Sequence, residues 1–199
     1  TAQFLLTRSF PVKHGHVVVI HAAAGGVGLM LCQWAKHVGA TVIGSVGSEE
    51  KAALAQANGC DHAIIYTREP VSKRVRELTG GRGADVVYDS VGQATFMDSL
   101  DCLKPLGMLV SFGQASGKIP PFDIGLLASK GSLFLTRPSL MHYIADHAQY
   151  RAAGEHVFAM LEEGHLRAHI HRTLPLKDAA EAHRLLESRA TSGSIVLTV

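Results

Sequence analysis

One stretch near the start of the chain constrains the fold more than any other. It runs from four β-branched residues, Val17–Ile20, through a loop of alanines and glycines at 22–28, into an apolar helical segment. An unbroken β-branched run is typical of a buried parallel strand. A helix that begins directly after such a strand presents unpaired N–H groups and the positive end of its dipole at the loop. The stretch therefore predicts a site for a pyrophosphate group.

The small residues of this loop match the dinucleotide-binding pattern G-x-G-x-x-G in part. The three pattern positions are Ala23, Gly25 and Gly28, so an alanine replaces the first glycine. The alternative is an ordinary tight turn between a strand and a helix, with no ligand. Because the match is imperfect, the rest of the chain has to decide between the two.

Strand and helix signals alternate along the first two thirds of the chain. We expect strands at 17–21, 41–45, 63–66, 84–88, 107–112 and 132–136, with helices between them at 27–37, 48–58, 70–78, 93–103 and 123–129. This repeat predicts the α/β class, a Rossmann doubly wound parallel sheet of six strands in the order 3-2-1-4-5-6. The loops that follow the strands then lie at one edge of the sheet. Several contain glycine, which favours a dinucleotide site over a plain turn.

The pattern changes after the sixth strand. We expect one amphipathic helix at 142–163, with an apolar side formed by Tyr143, Ile144, His147, Tyr150, Val157, Phe158 and Leu161. An extended segment at 169–176, a helix from Asp178 and a last strand at 194–199 follow, and these have no place in a six-stranded sheet. We therefore expect a nucleotide-binding domain at 1–165 and a C-terminal tail at 166–199. The start of the chain is neither a signal peptide nor an initiation site, which favours a truncated chain.

Composition excludes several classes of protein. The 199 residues are 47% hydrophobic and 18% charged, with a net charge of +2 and no basic stripe, which argues against a nucleic-acid partner. No apolar run approaches the roughly 18 residues that a membrane span needs. The three cysteines, Cys32, Cys60 and Cys102, are far apart and indicate buried thiols in a reducing compartment, the cytoplasm. The histidines have no accompanying ligand cluster, so we expect no metal.

The end of the second strand indicates which cofactor is bound. A site specific for NAD has an acidic residue there, which binds the ribose 2′-hydroxyl, but residues 44–48 contain none. Lys51 and the helix-capping Ser48 could instead hold a 2′-phosphate. Their alternative roles are a solvated helix lysine and a plain helix cap. The missing acid favours NADP(H) over NAD.

With these residues considered together, the chain resembles the quinone oxidoreductase branch of the zinc-independent medium-chain dehydrogenase/reductases. The resemblance rests on stretches in family order along nearly the whole chain: 21–28, 44–48 with Lys51, 87–92, 110–113, 136–139, 175–179 and 186–191. It implies a two-domain subunit in which the nucleotide domain and its returning tail pack against a GroES-like catalytic domain that this chain lacks. It also implies a homodimer, for which the edge strand at 132–136 is the candidate surface.

The resemblance further implies which residues bind the cofactor and what reaction follows. The cofactor-binding positions are Gly25, Gly26 and Val27 at the pyrophosphate; Gly47, Ser48, Lys51, Tyr66 and Arg189 at the 2′-phosphate; and Val91, Phe112, Gly113, Gln114 and Leu140 towards the nicotinamide. No catalytic residue is assigned. The implied reaction is electron or hydride transfer from NADPH to a quinone. The alternatives are reduction of enones or enals, and a non-enzymatic NADPH-binding protein of the crystallin or sensor type.

Overall fold

A six-stranded parallel sheet forms the centre of the molecule. The structure is a computed structural model that describes residues 1–188 and 191–199. The strands of the sheet are β1 Val17–Ile20, β2 Thr41–Val46, β3 His62–Ile65, β4 Ala84–Asp89, β5 Leu103–Ser111 and β6 Phe134–Thr136. Their order is β3-β2-β1-β4-β5-β6, with every pair parallel. The predicted fold class and strand order are both confirmed.

Helices cover both faces of this sheet. They are α1 Ala2–Phe4, α2 Gly26–His37, α3 Glu49–Ala57, α4 Val71–Leu78, α5 Phe96–Cys102, α6 Gly125–Ser129, α7 Leu140–Tyr143, α8 His147–Glu162 and α9 Ala179–Glu187. A π-helical turn, Leu5–Ser9, continues α1, and a 3₁₀ turn, Leu176–Asp178, precedes α9. None of the helices within the described residues is both long and apolar enough to cross a membrane.

The central strand β1 is buried on both faces because its side chains alternate between two apolar cores. Val18 and Ile20 pack into a core that includes residues of α1, α2, α3 and α8. Val19 packs on the opposite face, in a core that includes residues of α4 and α5. This explains the continuous β-branched run, since a parallel strand covered on both sides has no solvent-facing positions.

The long helix expected at 142–163 is wrong, because two helices occupy this region. Asp146 caps a new helix there: its carboxylate accepts a hydrogen bond from the backbone N–H of Gln149 at 2.9 Å. The expected apolar side is also partly wrong. His147 is exposed, Tyr150 is 55% exposed and Phe158 is 64% exposed.

Several other boundaries differ from the expectations. β5 begins at Leu103 rather than 107, across a register shift in its pairing with β4. The edge strand expected at 132–136 is shorter, since Ser132 has a φ of 55° and β6 begins at Phe134. The helix expected at 93–103 begins at Phe96, because the residues before it form a loop.

The C-terminal tail forms a second, two-stranded sheet. Strands β7 Ile170–Pro175 and β8 Ser194–Thr198 pair in parallel and lie outside the six-stranded sheet. This agrees with the expectation that the two extended segments have no place in the main sheet. The division of the chain at 165/166 stays a prediction.

Candidate functional site

The loop between β1 and α2 is packed so tightly that two of its glycines have no room for a side chain. A Cβ added at Gly28 would meet the carbonyl oxygen of Ala22. At Gly26 an added Cβ would lie 2.9 Å from the Ser194 hydroxyl oxygen. Gly28 thus allows α2 to start directly against β1, and Gly26 lies beneath the C-terminal tail. Gly28 is the last glycine of the dinucleotide pattern, where close packing of the helix on the strand is required.

The alanine at the first position of the pattern is accommodated by a glycine on the neighbouring strand. Gly44 pairs with Ile20 of β1. A Cβ added at Gly44 would lie 2.6 Å from the Ala23 methyl carbon and 2.8 Å from the Cys60 sulfur. Because Gly44 has no side chain, Ala23 can be fully buried here. A glycine inside a strand usually weakens it, but here Gly44 is required by the packing of Ala23 and Cys60.

The loops after β4 and β5 are joined by backbone contacts. Gly113 approaches Ser90 so closely that an added Cβ would meet the Ser90 carbonyl oxygen. The N–H of Ser116 donates to Val91 O at 2.8 Å, and the N–H of Phe112 donates to Asp89 O at 2.8 Å. These contacts hold two of the expected loops together at the carboxyl edge of the sheet.

A cavity of about 480 Å³ lies at this edge, over the ends of β1, β2, β3 and β4. Its lining is His21, Ala22, Ala24, Gly25, Ser45, Val46, Gly47, Lys51, Tyr66, Glu69, Pro70, Val71, Val91, Ala94, Thr95, Asp98, Ala115 and Thr191. The volume is in the range of small-molecule and cofactor sites. Its position, across the switch point between β1 and β4, is the one that doubly wound sheets use for ligands.

Five of the predicted cofactor residues line this cavity. They are Gly25, Gly47, Lys51, Tyr66 and Val91. The Tyr66 ring lies against Gly47, because a Cβ added there would be 2.8 Å from the Tyr66 hydroxyl oxygen. Tyr66 is 55% exposed, which leaves much of its ring available to a ligand.

Seven of the remaining predicted residues do not line the cavity, and the eighth lies outside the described residues. Gly26 and Val27 open α2, and Ser48 caps α3 by accepting a hydrogen bond from the Lys51 N–H at 3.3 Å. Phe112, Gly113 and Gln114 follow β5, and Leu140 begins α7, so these four belong to the other half of the edge and do not line the cavity. Arg189 lies outside the described residues. The binding role of all these residues stays a prediction.

The charges at the start of α3 are more mixed than the missing acid suggests. Glu49 forms an ion pair with Arg68, so its charge is compensated. Hydrogen bonding from the Ser48 hydroxyl lowers the pKa of Glu50, which is fully exposed. Within the cavity itself, Lys51 is accompanied by the carboxylates of Glu69 and Asp98.

A buried chain of polar side chains beneath the cavity was missed in the sequence. His21 Nδ1 lies 2.8 Å from the Ser45 hydroxyl, and His21 Nε2 lies 3.0 Å from the Ser99 hydroxyl. The Ser99 hydroxyl in turn donates to Asp89 Oδ2 at 2.9 Å. We call Asp89, Ser99, His21 and Ser45 the polar chain. A signal was present, because β1, β2 and β4 each place a polar residue at or near the carboxyl end of an apolar strand.

The C-terminal tail contacts the glycine loop, which the sequence also did not show. Gly193 pairs with Gly25 in an isolated parallel bridge, and the Gly193 N–H donates to Ala24 O at 2.9 Å. Thr191 lines the cavity. The tail thus forms part of the wall of the cavity.

The three cysteines have the structural role that was expected of them. Cys32, Cys60 and Cys102 are all buried free thiols, as predicted. Burial raises the pKa of Cys102 well above its ordinary value. Across residues 1–188 and 191–199, no three His, Cys, Asp or Glu side chains form a cluster that could hold a metal ion.

Comparison with known proteins agrees with this geometry. Residues 26–157 match the family described as zinc-binding dehydrogenase. The chain is 47% identical over 201 residues to the 2-haloacrylate reductase of a Burkholderia species, covering 99% of this chain and 60% of that protein. It is 46% identical over 197 residues to the quinone oxidoreductase of Pseudomonas aeruginosa, covering 99% of this chain and 61% of that protein.

Solved structures give the same relationship. The Escherichia coli quinone oxidoreductase, solved in complex with NADPH, superimposes with a TM-score of 0.96 at 44% identity. The match covers 100% of this chain and 61% of that one. The chain therefore spans about three fifths of the length of its relatives and corresponds to their nucleotide-binding part. It belongs to the zinc-binding dehydrogenase family, and its relatives there include quinone oxidoreductases.

Proposed function

We propose that this chain binds NADP(H) and that the protein uses it to reduce a quinone. The observation that carries the proposal is the composition of one cavity wall. The glycine loop, the acid-free end of β2 and Lys51 meet in the same space. A phosphate on the ribose 2′-position would find a cation and no acidic residue at 44–48, whereas the usual partner of an NAD ribose is missing. The Escherichia coli relative solved with NADPH supports the same choice.

The residues present fit such a cofactor. Gly25 lines the cavity at the N-terminus of α2, where the helix dipole favours the negative charge of a pyrophosphate, and Gly28 lets α2 start directly against β1. Tyr66 offers an aromatic face next to Gly47 at the adenosine end. Once bound, NADPH supplies the hydride or electrons, and the residues of this chain orient it and exclude water.

A second candidate reaction has specific support. The relative that is 47% identical is named a 2-haloacrylate reductase, and a 2-haloacrylate contains an activated double bond rather than a quinone ring. Reduction of enones or enals belongs to the same class. The cavity of this chain serves the cofactor in either reaction. A non-enzymatic role as an NADPH-binding crystallin-like or sensor protein is the third candidate, and it predicts binding without turnover.

The proposal has three further parts. It assigns no zinc to the reaction, following the resemblance to the quinone oxidoreductase branch. It places the protein in the cytoplasm, a reducing compartment, which the three buried free thiols support. It also includes a homodimer formed through β6, an edge strand of the sheet on which Phe134 is 54% exposed.

The test has a binding step and a turnover step. We expect the 199-residue chain to bind NADPH at least about tenfold more tightly than NADH, measured by nicotinamide fluorescence. The reason is that a 2′-phosphate paired with a cationic side chain contributes on the order of 1–3 kcal/mol to the free energy of binding. Turnover is measured with ortho- and para-quinones, 2-chloroacrylate and an enal. The enzyme for that step is a chimera that joins this chain to the part of the Pseudomonas aeruginosa relative it does not cover.

The outcomes separate the candidates. Faster NADPH oxidation with quinones supports the proposed activity, and faster oxidation with 2-chloroacrylate or the enal supports the second candidate. Tight NADPH binding without oxidation by any acceptor would favour the non-enzymatic role. Equal affinity for NADPH and NADH would contradict the cofactor assignment.

A further inference from the structure

The polar chain has a direction, which follows from its hydrogen-bond donors and acceptors. At its buried end, Asp89 Oδ1 accepts from the backbone N–H groups of Val91 at 2.7 Å and Gly92 at 3.1 Å. Asp89 Oδ2 accepts from the hydroxyls of Thr95 at 2.8 Å and Ser99 at 2.9 Å. Four donors around one carboxyl group match the acceptor capacity of an ionised carboxylate. The single hydroxyl hydrogen of Ser99 is therefore directed at Asp89.

This assignment determines which nitrogen of His21 carries a hydrogen. The Ser99 hydroxyl has given its hydrogen to Asp89, so towards His21 Nε2, 3.0 Å away, it can only accept. Nε2 must therefore be protonated. Burial lowers the pKa of His21, against the opposite effect of the Asp89 and Asp98 carboxylates, and this favours the neutral ring with a lone pair on Nδ1.

The neutral ring in turn orients Ser45 at the floor of the cavity. Its hydroxyl lies 2.8 Å from His21 Nδ1 and has to donate its hydrogen to that lone pair. Both residues line the cavity. We propose that Asp89, Ser99 and His21 orient the Ser45 hydroxyl as a hydrogen-bond acceptor in the nucleotide groove, where it selects a hydroxyl or amino hydrogen of the ligand. The identity of that ligand, a dinucleotide, rests on the proposed function.

Protonation of His21 reverses this polarity. A hydrogen on Nδ1 would donate to Ser45, and the Ser45 hydroxyl hydrogen would turn towards the groove, so the acceptor would become a donor. The charged groups that face this region are Asp89 on β4, Asp98 on α5 and, across the cavity, Lys51 and Glu69. Ligand binding through a donor group should therefore weaken at the pH where His21 becomes charged.

The direction of the hydrogen bonds in the polar chain can be tested without any ligand. Long-range ¹H–¹⁵N spectra of histidine-labelled protein report which ring nitrogen carries hydrogen, and a His21→Gln spectrum identifies the His21 signals among the twelve histidines. We expect His21 to be neutral and protonated on Nε2 at pH 7.5. Hydrogen on Nδ1 would overturn the proposal. In Ser99→Ala we expect a mixture of both forms, and an unchanged Nε2–H form would refute the role given to Ser99 and Asp89.

The acceptor role of Ser45 is tested by binding. We expect Ser45→Ala to raise the Kd for NADPH about fivefold, as for one neutral hydrogen bond. Ser111→Ala is the matched control. It removes another buried hydroxyl at the end of a strand, one with no hydrogen-bond partner within the described residues, and should change the Kd less than twofold.

Two results of this binding test would overturn the acceptor role. One is a Kd for Ser45→Ala within twofold of the wild type, and the other is an equal loss in both variants. A wild-type chain that does not bind NADPH would contradict the proposed function instead. In that case only the tautomer of His21 tests the proposed direction of the hydrogen bonds in the polar chain.

Discussion

At the scale of single residues, the loop and strand that border the cavity depend on three glycines, because a side chain at any of these positions would collide with a neighbouring part of the protein. Gly26, Gly28 and Gly44 each leave space that another part of the chain occupies. Gly44 compensates for the alanine at the first pattern position, so the imperfect fingerprint and the glycine in β2 are one packing arrangement. Of the side chains that do line the cavity, Lys51 provides positive charge at the end where a 2′-phosphate is proposed.

The role of Lys51 leads to a prediction about charge reversal. We expect Lys51→Glu to weaken NADPH binding at least about tenfold while NADH binding changes less than threefold, because an acidic side chain repels the phosphate that only NADPH carries. Both affinities are measured by fluorescence titration at fixed salt.

The control for that variant is Lys177→Glu. It makes the same change in net charge at an exposed turn of the C-terminal tail. Equal losses for NADPH and NADH in Lys51→Glu would contradict a 2′-phosphate contact. An equal effect of Lys177→Glu would show that net charge alone is responsible.

At the scale of elements, a single carboxylate links three strands. Asp85 of β4 accepts a hydrogen bond from the N–H of Val17 at the start of β1, at 2.7 Å. It also pairs with Lys104 of β5 at 2.6 Å, and its side chain is 7% exposed. The Asp85 carboxylate thus holds the amino ends of β1, β4 and β5 together, at the edge of the sheet opposite the candidate site.

We expect Asp85→Asn to lower the free energy of unfolding by about 2 kcal/mol at pH 7, because the buried charged acceptor is lost and Lys104 is left without its partner. Asp101→Asn is the control: the same change at a half-exposed pair with Lys130 should cost less than about 1 kcal/mol. Urea denaturation of the three proteins gives the comparison.

The difference in stability between the wild type and Asp85→Asn should depend on pH. Burial raises the pKa of Asp85. The hydrogen bonds that Lys104 and the Val17 N–H donate, together with the charge of Lys104, outweigh this effect and hold the pKa of Asp85 below its ordinary value. The stabilisation is therefore fully present above the unfolded pKa of about 3.9 and is lost as the pH falls through the folded value. The wild type and Asp85→Asn should converge in stability below that pH. A difference that stays constant from pH 7 to pH 3 would contradict this role.

At the scale of the whole molecule, the strand order places β6 at one edge of the sheet. β6 pairs with β5 on one side and ends the sheet on the other. Phe134 on this strand is 54% exposed. An exposed edge strand with an apolar side chain is a surface on which a second copy of the chain can extend the sheet.

We expect the chain to be a dimer at micromolar concentration and Phe134→Lys to be a monomer, because a lysine introduces charge into the paired edges. Sedimentation velocity measures both. Tyr150→Lys is the matched control, since Tyr150 is an equally exposed aromatic residue on α8, at 55%. It should remain a dimer. A monomeric wild type, or a dimeric Phe134→Lys, would contradict pairing through β6.

The fold could be predicted from local patterns because those patterns have local causes. The β-branched run at Val17–Ile20 and the cap at Ser48 each act within a few residues, so the element order could be predicted from them. The strand order was predicted from the alternation of strands and helices. The break before His147 was missed because one aspartate cap outweighed a continuous apolar period.

What only the tertiary structure decided depends on contacts between distant residues. The polar chain joins Ser45, His21 and Ser99, which are separated by 24 and 78 positions. Gly193 reaches Gly25 from the far end of the chain. By itself, the sequence determined the Rossmann sheet, the edge at which a ligand is expected and the absence of an acid at 44–48. The structure decided how the polar groups at that edge are connected, because hydrogen bonds between side chains depend on which strand ends become neighbours.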